Sequence, residues 1–182
     1  MKPTKIFRIN FLTIFSAMCL FLTTQVLAQL PSDVQVKVGE YQQKLATWAQ
    51  DPEVINAIKE MNSSIPSMTN DAWKGLTMAS PEVQKYMSNP VGMKLQSWQE
   101  DKSLGKLFLR DKNGNFVAGS KKPAIYNIKD RKPFMNAIQG KQWSAKRAKI
   151  DPTTKRSSIQ LSQPVVSEGV NIGIIHTAII LE

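Results

Sequence analysis

Phe108-Leu109-Arg110-Asp111-Lys112-Asn113-Gly114-Asn115-Phe116-Val117-Ala118-Gly119-Ser120 is the stretch on which the fold turns. An apolar run meets the polar break Asp111-Lys112-Asn113-Gly114 and resumes beyond it. Asn-Gly accommodates the positive φ angles of a tight hairpin. The reading is a strand over 104–109, a turn, and a return strand over 115–120. Toward the C-terminus, 125–140 reads as a loop and then a helix, with Phe134, Ala137 and Ile138 inward and Gly140 as its stop. Residues 143–150 read as a further strand, and Asp151-Pro152-Thr153-Thr154 as a turn. A strand over 157–166 should end at Pro164 and the Ser167-Glu168-Gly169 turn. Residues 170–181 form the last and most apolar strand, long enough to predict a central position in a sheet.

Upstream of the hairpin the periodicity is helical. Val34, Val38, Tyr41, Leu45 and Trp48 recur every three or four residues, and Ser32 and Asp33 are candidate caps. Asp51-Pro52-Glu53 restarts the chain as N-cap, first helical residue and first-turn acid. Val54, Ile55, Ile58 and Met61 supply that helix's apolar face, and Asn62-Ser63-Ser64 ends or interrupts it. Asn70-Asp71 opens a short helix holding Trp73, and Ser80-Pro81-Glu82 opens another. Asn89-Pro90 is a break, followed by Met93, Leu95 and Trp98. Helices first and strands after predict an α+β domain with a five-stranded antiparallel sheet and the N-terminal helices packed on it.

The chain has 182 residues and a net charge of +10, with one His and one Cys. That length suits one folded unit. A Cys/His metal site is excluded by supply, and a catalytic triad would have to use His176. Lys2, Lys5 and Arg8 precede an apolar core over 11–22, and Val26-Leu27-Ala28 places small residues before a cleavage point. This is a secretory signal peptide pattern with cleavage expected after Ala28; the other reading is an uncleaved anchor. The core is short for the ~20 residues of a membrane span. Met18 before Cys19 is too large for a lipoprotein processing site. Removing residues 1–28 takes away three cations and the only cysteine, so the net charge falls from +10 to +7. Residues 29–103 are then the helical region and 104–182 the sheet region of one exported unit, expected in a bacterial periplasm.

Four stretches carry a family resemblance. They are the hairpin, Asn127-Ile128-Lys129-Asp130-Arg131-Lys132-Pro133-Phe134-Met135-Asn136-Ala137-Ile138-Gln139-Gly140-Lys141, Leu161-Ser162-Gln163-Pro164-Val165, and Gly169-Val170-Asn171-Ile172-Gly173-Ile174-Ile175. In order and spacing they resemble an extracytoplasmic PAS-like sensor module, the Cache or PDC fold of bacterial receptors. Asp51-Pro52-Glu53-Val54-Ile55-Asn56-Ala57-Ile58-Lys59 and Asp71-Ala72-Trp73 are similar to the N-terminal region of such sensors. Many of these modules have Tyr or Trp straight after the Asp-Arg pair; here Lys132-Pro133 intervene before Phe134. The resemblance implies a non-enzymatic ligand-binding domain without cofactor or metal. It implies a small organic ligand, an amino acid or a carboxylate, held between the sheet and residues 126–134. It also implies a membrane-bound signalling partner, with the output domain expected on a separate protein, and pairing of two copies through the first helix.

Each candidate residue has a plainer reading beside the functional one. Arg131 suits a carboxylate, which it can grip through two parallel hydrogen bonds. Tyr126 offers a hydroxyl and an apolar wall, and Asp130 suits a ligand amine. Asp130 and Arg131 equally suit a loop cap and surface ion pair, and Phe134 suits the core. Trp143 lies in a basic run, Lys141, Lys146, Arg147, Lys149, Lys155 and Arg156, opposed only by Asp151. This run is either a solvated strand edge that resists pairing or a docking face for an anionic partner. The latter defines the alternative function, an envelope interaction protein binding a lipid head group or cell-wall polymer. Arg147 can instead enter the pocket. His176 is either a hydrogen-bonded core residue or a ligand contact. Nucleic acid is not expected in that compartment.

Overall fold

The computed structural model describes residues 30–181. The segment 1–28, where the signal peptide is expected, lies outside them. The helices are α1 (Ser32–Trp48), α2 (Pro52–Asn62), α3 (Asn70–Lys74), α4 (Pro81–Met87), α5 (Pro90–Trp98) and α6 (Lys132–Ala137). The strands are β1 (Leu104–Asp111), β2 (Phe116–Gly119), β3 (Trp143–Ser144), β4 (Lys149–Ile150), β5 (Ser157–Ser167) and β6 (Val170–Ile180). They form one antiparallel sheet in the order β2-β1-β6-β5-β3, with β4 also paired to β5. None of the described helices is long and apolar enough to cross a membrane.

The caps follow local chemistry. Asp51 accepts hydrogen bonds from the amides of Glu53 and Val54, and Pro52 takes the first helical position of α2. Asn89 does the same for α5 through the Gly92 amide at 2.6 Å. At α1 the expected cap is displaced: Pro31 is the N-cap, and Ser32 and Asp33 lie inside the first turn. At α3 the cap is Thr69, whose hydroxyl accepts from the Ala72 amide, one residue before the expected start.

In the hairpin, Gly114 alone takes a positive φ, +82°, and a register shift between Leu109 and Arg110 leaves Val117 as a bulge in the β1–β2 ladder. A side chain at Gly114 would also meet the Lys129 amide at 2.7 Å, because Ile128 hydrogen-bonds back to the Gly114 carbonyl. β6 is central, as its length predicted. β5 runs through Pro164 to Ser167 rather than ending there. Pro164 is tolerated because β3 pairs with β5 only as far as Ser162, so the outer edge at 164 needs no N–H donor.

The predicted strand over 143–150 is broken in two. Trp143 pairs with Ser162 and Lys149 with Ser158, so six steps on one strand face four on its neighbour. The two surplus residues bulge from the ladder, and the five expected strands become six over five positions.

One face of the sheet carries the main core. Leu107, Leu109, Ile175, Ile179, Ile159 and Leu161 are buried there against Val38, Tyr41 and Leu45 of α1, Val54 and Ile58 of α2, and Leu95 of α5. Each such side chain contributes about 1.5–3 kcal/mol by leaving water. A second cluster, of Trp73, Val83, Met87, Phe108, Phe116 and Tyr126, closes the β2 side under α3 and α4.

Candidate ligand-binding cavity

Successive strand residues point to opposite faces. The residues that alternate with the core set in β1 are Lys106, Phe108 and Arg110; in β6 they include Ile174, His176 and Ala178. The ladder register aligns Phe108 with His176, His176 with Ser162, and Ser162 with Trp143, a row across four strands. Over this face lies a cavity of about 630 Å³. Its floor includes Lys106, Phe108, Arg110, Gln160 and His176. Its walls come from the segments 123–133 and 143–153. The bulge between β3 and β4 brings Lys146 and Arg147 to the wall.

Arg110 is 1% exposed and has no carboxylate partner among the described residues. Its Nη1 donates to the Tyr126 carbonyl, Nη2 to the Ile125 carbonyl at 3.3 Å, and Nε to His176 Nε2 at 3.2 Å. The guanidinium also lies 5.6 Å from the Phe108 ring centre and 5.1 Å from that of Phe116. Burial pulls its pKa down to about 9, against weaker opposing effects of Tyr126 and Asp111. Because His176 Nε2 accepts, the proton of the neutral imidazole sits on Nδ1. That N–H is buried and finds no partner among the described residues. Burial, then the charges of Arg110 and Lys106, hold the imidazole well below its usual pKa. Ser162 Oγ, directly across the ladder, is likewise buried without a partner.

The other floor cation is compensated. Lys106 forms a buried ion pair with Asp151. Asp151 also accepts from the amides of Thr153 and Thr154 at 3.0 and 2.9 Å and from Gln160 Nε2 at 3.0 Å. Burial alone would raise the Asp151 carboxyl, but Lys106 and the turn amides hold it below its usual value. Burial pulls Lys106 down, and Asp151 offsets only part of that. One carboxylate thus ties the 151–154 turn to the cavity floor.

Arg131, Trp143, Arg147 and His176 of the sequence-predicted residues line the cavity. Three others go elsewhere. Tyr126 turns its ring away, into the cluster with Trp73, Tyr86 and Phe116, and its hydroxyl meets that of Tyr86 at 3.4 Å. Burial first, then Tyr86, raises its phenol pKa. Its backbone carbonyl, not its hydroxyl, serves the site by holding Arg110. Phe134 packs with Ile128, Ala137 and Ile174. Asp130 is exposed, outside the cavity lining, and forms no ion pair with Arg131 among the described residues. Lys132-Pro133 start α6 immediately after Arg131, so Phe134 faces the sheet instead of the cavity.

Sequence reasoning missed Arg110, Lys106, Asp151 and Gln160. A signal for the first two was present. Lys106, Phe108 and Arg110 alternate with Leu107 and Leu109, which puts them on one face of β1 opposite the leucines.

No family model and no curated protein sequence matches the chain. Solved structures do. The sensor domain of the V. cholerae histidine kinase DctB superposes with a TM-score of 0.58 at 18% identity, over 82% of this chain and 51% of that one. The Campylobacter jejuni chemoreceptor Tlp3 sensory domain with isoleucine bound gives 0.45 at 16% identity, over 83% and 64%. The Pseudomonas fluorescens chemoreceptor CtaA ligand-binding domain with L-leucine gives 0.46 at 14%, over 81% and 51%. The chain spans about half the length of the DctB domain. It has the α+β fold of that DctB domain; its own sequence resembles the PAS-like Cache/PDC module.

Proposed function

We propose that this chain is a periplasmic sensor-type module that binds a small organic anion and reports occupancy to a membrane-bound partner. The observation that carries this reading is a cavity on the polar sheet face with a buried guanidinium, Arg110, that has no carboxylate partner among the described residues. An unpaired buried charge is costly, and an anionic ligand relieves the cost. Arg131, Trp143 and Arg147 supply a cationic and aromatic wall for it. Such a ligand shifts the population toward the packing of 123–133 and 143–153 that grips it. Export through the segment 1–28 belongs to this reading.

The test is a thermal-shift screen of the purified chain against organic acids and amino acids. Binding to the native state raises the melting temperature by mass action. The expected result is a shift with small anions that persists at physiological ionic strength and weakens in Arg147→Ala and Trp143→Ala. A second reading rests on the exposed run Lys146, Arg147 and Lys149 beside Ile150, which is 67% exposed. If only polyanions bind, and salt abolishes the effect steeply, the basic surface is the functional part and the cavity reading fails.

A further inference from the structure

Away from the cavity, the chain gathers sulfur. Six methionines lie beyond residue 28, and three of them, Met78, Met87 and Met93, line one groove of about 320 Å³. Met78 comes from the turn before α4, Met87 from the last turn of α4, and Met93 from α5. Met87 is buried, whereas Met78 and Met93 are 46% and 56% exposed, so two of the three side chains reach solvent. The groove shares no lining residue with the cavity on the sheet.

Its polar side chains are already committed to the protein. Gln84 donates to the Met78 carbonyl and accepts from the Ser88 hydroxyl at 3.0 Å. Gln96 donates to the carbonyls of Met87 and Gly92 at 2.7 and 3.2 Å. Ser120 donates to the Leu107 carbonyl at 3.3 Å and accepts from its amide at 2.9 Å. These bonds hold the frame around the sulfurs. Met78 Sδ accepts from the Lys122 amide at 3.2 Å, which takes one of its two lone pairs and leaves the other. Among the described residues, none that lines the groove is ionisable. Beyond a few amide and hydroxyl oxygens, the groove offers a ligand soft, neutral sulfur.

That donor set is selective. Carboxylate and carbonyl oxygens suit hard cations, and imidazole suits Zn(II) and Cu(II), whereas thioethers select Cu(I). A chain of net positive charge also repels a monovalent ion less than a divalent one. No group of three or more His, Cys, Asp or Glu among the described residues could hold a competing metal. We infer that this groove binds one soft monovalent metal ion, Cu(I), through the thioethers of Met78, Met87 and Met93. A thioether has no proton to lose, so the affinity is independent of pH, unlike that of an imidazole or thiolate site.

The probe is Ag(I), which shares the charge and softness of Cu(I) and is stable in air. It is titrated calorimetrically, in chloride-free nitrate buffer, into the full chain carrying Cys19→Ser, because a free thiol would capture the ion. One ion per chain is expected, with the same affinity at about pH 6 and about pH 7.5. Met78→Leu and Met93→Leu should each weaken binding about tenfold or more. Both positions are exposed and leucine conserves the volume, so these variants keep their fold. Met135→Leu, exposed on α6 and outside the groove lining, is the control and should leave the affinity unchanged. X-ray absorption at the silver edge should show sulfur neighbours, fewer in the two groove variants. Absence of binding, an affinity that falls with pH, or groove variants that bind as tightly as the control overturns the inference. Each of these outcomes leaves the cavity reading as it stands.

Discussion

On the helix side of the sheet, β1 and β6 present Leu107, Leu109, Ile175 and Ile179, and α1, α2 and α5 close over them. On the other side the same strands present Lys106, Phe108, Arg110 and His176, and these are buried too. Burial favours the first set, since each apolar side chain gains by leaving water. It opposes the second, since a buried charge loses hydration that only good partners restore. Equal burial on the two faces therefore has opposite energetic meaning. The first face holds the domain together, and the second costs it stability.

The comparison can be broken at both faces. The largest loss is expected for Asp151→Ala, which leaves Lys106 buried and unpaired. Unfolding in urea should show about 3–5 kcal/mol less stability. Replacing the pair together, Lys106→Met with Asp151→Leu, should recover part of that if the charge itself is the cause. On the apolar face, Leu109→Ala should cost about 2–5 kcal/mol, by lost transfer energy plus the cavity left behind. A loss under about 1 kcal/mol would show that the helices do not clamp this face.

Away from both faces, Asp51→Ala removes the α2 cap and the carboxylate that pairs with Lys94 at 2.9 Å. The expected cost is about 1 kcal/mol. The remaining effect is a pH dependence. His176 stays neutral in the folded state well below pH 6.5, while the unfolded chain takes up that proton near 6.5. The unfolded state then binds more protons, so stability falls as pH drops below about 6.5, by at most about 1.4 kcal/mol per pH unit. The urea midpoint of the native chain should decline between about pH 6.5 and 5. His176→Asn should flatten that decline without altering the acid loss at lower pH, where Asp51, Asp101 and Asp151 take up protons. An unchanged slope would place the imidazole in contact with solvent.

Much of the fold was legible because its signals are local. Asp51-Pro52-Glu53 and Asn89-Pro90 mark helix starts through hydrogen bonds spanning two or three residues. Asn113-Gly114 marks the hairpin, because a positive φ falls to glycine at little cost. The apolar stretch ending in Ile179-Ile180 marks the central strand. The errors also have local causes. Pro164 reads as a strand end when only its missing N–H is considered, yet that N–H is not needed on an unpaired edge. The 143–150 strand hides a bulge because its length carries no record of its partner's register.

The site was half legible. Arg131, Trp143, Arg147 and His176 line the cavity, while Tyr126, Asp130 and Phe134 do not. Tyr126 was placed correctly along the chain but wrongly in space. A loop side chain faces whichever neighbour buries its ring best, and Trp73, Tyr86 and Phe116 do so. Arg110 was overlooked because a cation alternating with leucines ordinarily faces water.

Composition, caps and periodicity are properties of neighbouring residues, and they were enough to specify an α+β domain, its helix starts, its hairpin and its central strand. Whether the polar face of β1 and β6 meets solvent or a closed cavity depends on residues 123–133 and 143–153, which lie far from Arg110 or His176 along the chain. Only the folded chain brings them together. Desolvation, the unpaired guanidinium and the excess of positive charge around the cavity arise from that encounter.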